Sequence, residues 1–168
     1  MIRYALLAAA LFASTARAEV KSAAETGFLV EQRLEIAAGP AQVWRRLLRP
    51  RLWWSPQHTY SGDAANLRLE ARAGGCFCER WAGGEVLHLQ TAYVEPGKTL
   101  RLLGGLGPLQ GMADGALTLT LEPAGAGTVL TLQYQVWGFQ PGGLAAIAPA
   151  VDQVLGEQLA RLKAGLSP

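Results

Sequence analysis

The stretch LAAIAPAVDQVLGEQLARL, residues 144–162, decides the fold. Leu144, Ile147, Val151, Val154, Leu155, Leu159 and Leu162 recur at three- and four-residue steps, which puts them on one face of a helix. Pro149 lacks the amide that an interior turn needs, so it kinks this helix or marks where its main part starts. The chain therefore ends in a long amphipathic helix.

Read backwards from that helix, the sequence changes period from helical to alternating. Ala116 to Leu121 and Thr128 to Trp137 alternate apolar with polar residues on either side of Gly125-Ala126-Gly127. Thr99 to Leu103 follows a Pro96-Gly97 turn, and Glu85 to Val94 follows Gly83-Gly84. Cys76 to Trp81 follows Gly74-Gly75, and Leu67-Arg68-Leu69-Glu70 is a shorter alternating run. Turns this short make an antiparallel meander the economical topology. Further upstream, Phe28 to Ile36 reads as a first strand, ended by Ala38-Gly39-Pro40. Pro40 suits the first turn of a helix. Val43, Trp44, Leu47 and Leu48 then face one way and Arg45, Arg46 and Arg49 the other, until Pro50 stops the helix. A tryptophan-rich connector, Arg51 to Tyr60, leads to a turn at Ser61-Gly62-Asp63. The expected class is α+β: about seven antiparallel strands, a short helix region after strand 1, and the long C-terminal helix.

The amino terminus carries a different signal. Arg3 is followed by the apolar run Tyr4 to Ala13, and Ala16 and Ala18 are small residues at signal-peptidase spacing. The run is too short to span a bilayer, which takes about 20 residues. Residues 1–18 read as a signal peptide, and 19–168 as a single domain of an exported, periplasmic or secreted product. The chain has 15 Lys+Arg and 13 Asp+Glu. Loss of Arg3 and Arg17 with the leader makes the two equal. That balance argues against nucleic acid as a partner, because such affinity comes from neutralising phosphates with excess cations. A charged fraction of 17% beside 50% hydrophobic residues points to extensive apolar burial, in a core or around a ligand.

This order of elements resembles the START-like (SRPBCC) superfamily, in particular the branch of polyketide-cyclase-like proteins and the activator of heat-shock-protein ATPase. The resemblance is carried by Ile36-Ala37-Ala38-Gly39-Pro40-Ala41-Gln42-Val43-Trp44, by Trp53-Trp54, and by Gly74-Gly75-Cys76-Phe77-Cys78-Glu79. Glu95-Pro96-Gly97-Lys98-Thr99-Leu100-Arg101-Leu102 and Glu157-Gln158-Leu159-Ala160-Arg161-Leu162-Lys163 complete it. It implies a helix-grip fold, a curved sheet gripping the last helix. Between them it implies a cavity that in various relatives takes lipids, sterols, aromatic polyketides or hormones.

Several residues could serve such a cavity. Trp53 and Trp54 follow the short helix, where relatives have the cavity mouth. His58, Tyr60 and Asp63 could orient a ligand there. Trp81, Tyr93 and Trp137 read as core or lining. Leu109 and Met112, in the glycine-rich loop 104–115, could gate the cavity. Val151 and Leu155 offer it an apolar helix face. Arg45, Arg46, Arg49 and Arg51 beside the tryptophans could rest transiently on anionic lipid, or form an ordinary solvated face.

Cys76 and Cys78 carry a separate reading. On a regular strand they share one face, with Cα atoms roughly 6–7 Å apart. A disulfide normally wants about 5.5–6 Å, so a direct bond requires a bulge. With a three-residue hairpin loop His88 opposes Cys78; with a two-residue loop it opposes Glu79. His58 could then complete a Cys2His2 set for zinc or copper. Space-filling residues, a redox-responsive disulfide and a metal site all stand as readings of the pair. Hydrolytic machinery does not assemble: there is no Gly-x-Ser-x-Gly elbow, and Ser61, His58 and Asp63 fall within one turn. The leading expectation is a non-catalytic protein that binds or carries a small hydrophobic molecule, without a cofactor. The alternatives are an enzyme on an aromatic substrate using His58, Tyr60 or Glu79, and a redox or metal module using Cys76, Cys78 and His88.

Overall fold

Each short turn of the sequence returns the chain antiparallel to itself. The computed structural model describes residues 17–166. Along them run β1 (Arg17–Ala24), β2 (Gly27–Ile36), α1 (Pro40–Leu47), β3 (Leu67–Leu69), β4 (Cys76–Trp81), β5 (Gly84–Glu95), β6 (Thr99–Leu103), β7 (Ala113–Ala124), β8 (Gly127–Gly138) and α2 (Ala148–Ala164). The strands form one sheet in the order β1-β2-β8-β7-β6-β5-β4-β3. Every pairing in it is antiparallel. This is the helix-grip architecture expected, with eight strands where about seven were predicted.

The extra strand is β1. Its sequence, RAEVKSAA, has no sustained apolar alternation, and edge pairing with β2 makes it a strand. Charge guards this outer edge: Lys21 Nζ lies 2.9 Å from Glu19 and 3.3 Å from Glu31. The leader reading falls mainly on residues 1–16, which lie outside the described residues, while Arg17 and Ala18 are the first two residues of β1.

On the inner face, Val30, Leu34, Leu100, Leu119, Leu130 and Leu132 are buried and pack with Leu155, Leu159 and Leu162 of α2. Pro149 sits in the first turn of α2, and Leu144 and Ile147 precede it in a short 3-10 turn. One buried amide fixes the helix to the sheet: Gln32 Nε2 of β2 donates to the Asp152 carbonyl at 3.0 Å and to its carboxylate. The tryptophan connector is tied to the same helix. Ser55 N donates to Gln158 Oε1 at 2.6 Å, and Arg161 Nε donates to the Trp53 carbonyl at 3.0 Å.

The loop between β6 and β7 hangs from one side chain. Tyr134 Oη, on β8, accepts from Leu106 N and donates to the Gly104 carbonyl, both at 2.8 Å. Burial pushes its phenol up to about 12. Gly115 makes room for this ring, since a Cβ there would lie 2.6 Å from it. We expect Tyr134→Phe to cost about 1 kcal/mol in urea unfolding and to speed hydrogen exchange at the Leu106 amide. Gly115→Ala, which displaces the ring itself, should cost more.

Candidate functional site

Between α2, the connector and the 104–112 loop lies a cavity of about 700 Å³. Its wall is mostly apolar. Leu106, Pro108, Leu109 and Met112 come from the loop, and Ile147, Ala150, Val151, Val154 and Leu155 from α2 and the turn before it. Trp54, Gln57, His58, Thr59 and Tyr60 come from the connector, Tyr134 from β8 and His88 from β5. A much smaller apolar space of about 30 Å³ lies deeper, bounded by Trp53, Phe77 and Gln158 among others.

Seven of the residues proposed from sequence as ligand-binding lie on the large cavity's wall: Trp54, His58, Tyr60, Leu109, Met112, Val151 and Leu155. Three do not. Trp53 is buried in the core behind the wall, its indole N–H donating to the Arg46 and Leu47 carbonyls at 3.0 and 3.3 Å. Trp81 lies over its own hairpin turn, where an added Cβ on Gly84 would approach its ring to 2.9 Å. Tyr93 is 47% exposed, because β5 has an extra residue between Thr91 and Tyr93 that changes which side chains face inward. Trp137 is likewise largely exposed.

A buried polar pair that no single strand pattern announces stands at the wall, with His88 lining the cavity and Glu79 behind it. Glu79 of β4 is fully buried (0%) and His88 of β5 nearly so (4%), with His88 Nε2 at 3.1 Å from Glu79 Oε2. The hairpin closes through Ala82 and Gly83, with Trp81 opposite Gly84 and Cys78 opposite Leu87. Phe77 then pairs with Leu89, so β5 carries one extra residue at this step, and that residue is His88. A two-residue loop, one of the two lengths weighed from sequence, forms, but His88 opposes neither Cys78 nor Glu79. The bulge turns His88 and Leu89 inward together, as bulges beside functional sites commonly do. His88 packs between two rings, Phe77 at 5.1 Å and Tyr60 at 5.8 Å between centroids.

The carboxylate has few free lone pairs. Tyr60 N donates to Glu79 Oε2 at 3.0 Å, and Ser61 N donates to Oε1. Burial alone pushes this carboxyl up, but the hydrogen bonds from Ser61, Tyr60 and His88 outweigh it and hold the group below its ordinary value. His88 moves down as well, because burial disfavours the imidazolium more than Glu79 restores it. The pair is therefore a carboxylate and a neutral imidazole. An ionised carboxylate accepts only, so it fixes the proton on Nε2 and leaves Nδ1 as a bare acceptor. Nδ1 has no protein partner.

The cysteine and metal readings part company here. Cys76 and Cys78 form a disulfide with Cα atoms 5.4 Å apart, closer than a regular strand allows and beside the irregular step in β4–β5 pairing. Phe77 and Glu79 face His88, so strand alternation turns the sulfurs to the opposite face. His58 stands at the mouth with its Nε2 3.2 Å from Glu157 Oε2. Cys76, Cys78, His88 and His58 are thus not brought together, and no cluster of three or more His, Cys, Asp or Glu suited to a metal is present among the described residues.

Residues 28–166 match the family described as polyketide cyclase / dehydrase and lipid transport. The chain belongs to that family. No curated protein matches it. Among solved structures, one from Rhodobacter sphaeroides is 22% identical with a TM-score of 0.63, over 89% of this chain and 98% of its own. The Aha1 dimer from Colwellia psychrerythraea is 17% identical with a TM-score of 0.59, over 82% and 95%. DynU16, from the dynemicin biosynthetic locus, is 18% identical with a TM-score of 0.57, over 82% and 46%. At these identities the structures share the fold of this polyketide cyclase / lipid transport family member.

Sequence inspection sets Glu79 opposite His88 under one loop length, but as strand neighbours and not as a buried hydrogen-bonded pair. The available signal was Glu79 two residues from Phe77 on a strand, a carboxylate on a core-facing row that needs a buried partner. The linkage is testable. Both groups titrate lower folded than unfolded, so on acidification the unfolded chain takes up each proton first and stability falls. The loss should begin as pH drops below about 6.5, from His88, and deepen below about 4.3, from Glu79. In urea melts across pH, His88→Phe should erase the first step and shrink the second, since Glu79 loses one of the hydrogen bonds that hold it down. Glu79→Gln replaces an acceptor with a donor facing an amide or the imidazole, and should cost about 1–3 kcal/mol at neutral pH.

Proposed function

We propose that this protein binds and carries a small hydrophobic molecule, lipid-like or aromatic, in the cavity between α2 and the sheet, and that it works in the cell envelope. The observation that carries the binding reading is the cavity itself. Its volume of about 700 Å³ falls within the roughly 300–1,000 Å³ usual for small-molecule sites. Its wall is apolar apart from a few placed polar groups, which is the composition such sites use to combine burial with orientation. The family description, with its lipid transport, supports the same class of ligand. The envelope assignment is supported by the charge, apolar run and small-residue order at the amino terminus. The Cys76–Cys78 disulfide supports it too, since such bonds persist in oxidising compartments.

An enzyme acting on an aromatic substrate in the same cavity is a second reading, favoured by one observation. A neutral imidazole oriented by a carboxylate is what a general base requires, and His88 with Glu79 provides it.

The binding reading is tested with pyrene, a hydrocarbon that cannot hydrogen-bond conventionally. The protein should bind it saturably, read by quenching of tryptophan emission from the Trp54 wall. Val151→Trp, which fills the cavity from α2, should weaken binding at least tenfold, or about 1.4 kcal/mol. Quenching that never saturates, or that is indifferent to this substitution, would remove the cavity as the binding site.

A further inference from the structure

We propose that His88 and Glu79 make the cavity selective for apolar molecules that carry a hydroxyl donor, a phenol or enol, whose O–H is accepted by His88 Nδ1. The proposal rests on the cavity-binding reading and adds a ligand class to it.

Three features of the structure converge on this. First, His88 is on the wall of the large cavity, and its Nδ1 is a buried polar atom without a protein partner. A buried acceptor left unpaired is costly, so the folded protein gains whenever a donor arrives. Second, the acceptor character is built in. Glu79 accepts from two amides and the imidazole, so the Nε2 proton is held and Nδ1 has no proton of its own. A carbonyl or ether oxygen brought there would face a lone pair, and a hydroxyl would complete a bond. Third, the surroundings are aromatic and apolar. Phe77 and Tyr60 lie on the imidazole, and Trp54 packs edge-on against Phe77 at 5.3 Å. His88 Nδ1 has almost no accessible surface, so the Tyr60 ring, 5.8 Å from the imidazole and 54% exposed at the mouth, has to turn aside for a ligand to reach it.

The bulge in β5 gives the arrangement its purpose. A regular strand would place His88 and Leu89 on opposite faces; the extra residue puts both inward. The other unpaired buried polar atom identified, Gln158 Nε2, borders the space of about 30 Å³. That has room for a water-sized group but not for a ligand.

The experiment compares pyrene, 1-hydroxypyrene and 1-methoxypyrene by isothermal titration of the wild-type protein at neutral pH. The three share one aromatic body and differ in the donor. We expect 1-hydroxypyrene to bind about tenfold more tightly than 1-methoxypyrene. His88→Phe should abolish that preference, so that 1-hydroxypyrene and 1-methoxypyrene bind alike. The ¹⁵N resonance of wild-type His88 Nδ1 should shift with 1-hydroxypyrene and not with 1-methoxypyrene, a readout that needs no variant to fold. Equal affinities with an unmoved Nδ1 resonance would overturn the hydroxyl selection and leave the cavity reading standing. Failure of all three compounds to bind would overturn both.

Discussion

One helix has to cover one apolar sheet face, and it is too narrow to do so. Eight strands spaced at about 4.8 Å span roughly 34 Å, whereas a helix with its side chains is about 10–12 Å across. α2 lies over the β1–β2 side, where Gln32 fastens it through Asp152. The remaining inner face must be covered by sheet curvature, by the connector after α1 and by the loop after β6. Those covers are loops, held by a few polar clamps, and they leave a space that packed side chains do not fill. The cavity is the consequence of that mismatch.

The clamps explain how loops can roof an apolar interior. Three use a buried polar group, Tyr134 for the 104–106 segment, Gln158 Oε1 for the connector and Glu79 for Tyr60 and Ser61, and the exposed Arg161 adds a second hold on the connector. Glu79 is the most demanding of them, because an isolated buried carboxylate is strongly unfavourable. Two amides and an imidazole offset that penalty. The same bonds set the connector against β4 and β5, so the residue that anchors the roof also orients the polar atom of the wall. The candidate site and the local architecture share one group.

Much of this was readable from the residues. The heptad-like spacing from Leu144 to Leu162 and the alternation in β2, β7 and β8 each bury one continuous apolar face, and periodicity reports that directly. Trp54, Leu109 and Val151 were recognisable as wall residues because the resemblance placed their elements beside the cavity. β1 was not readable, since an edge strand of mixed, charged residues depends on its neighbour for its structure. Tyr93 and Trp81 were misplaced for a related reason: an extra residue or a local turn contact redirects a side chain without changing the strand pattern.

By itself, then, the sequence determined the class, the order of elements and the apolar character of the interior, because those follow from local periodicity and composition. Tertiary structure alone decided the partners of Glu79 and His88 and the face taken by the cysteine sulfurs. Strand faces have a period of two, and a one-residue bulge changes which side chains look inward. No local signal marks where such a bulge falls. It is set by the pairing of β4 with β5 and by what each inward side chain meets, and here Glu79 meets an imidazole under a roof of loops.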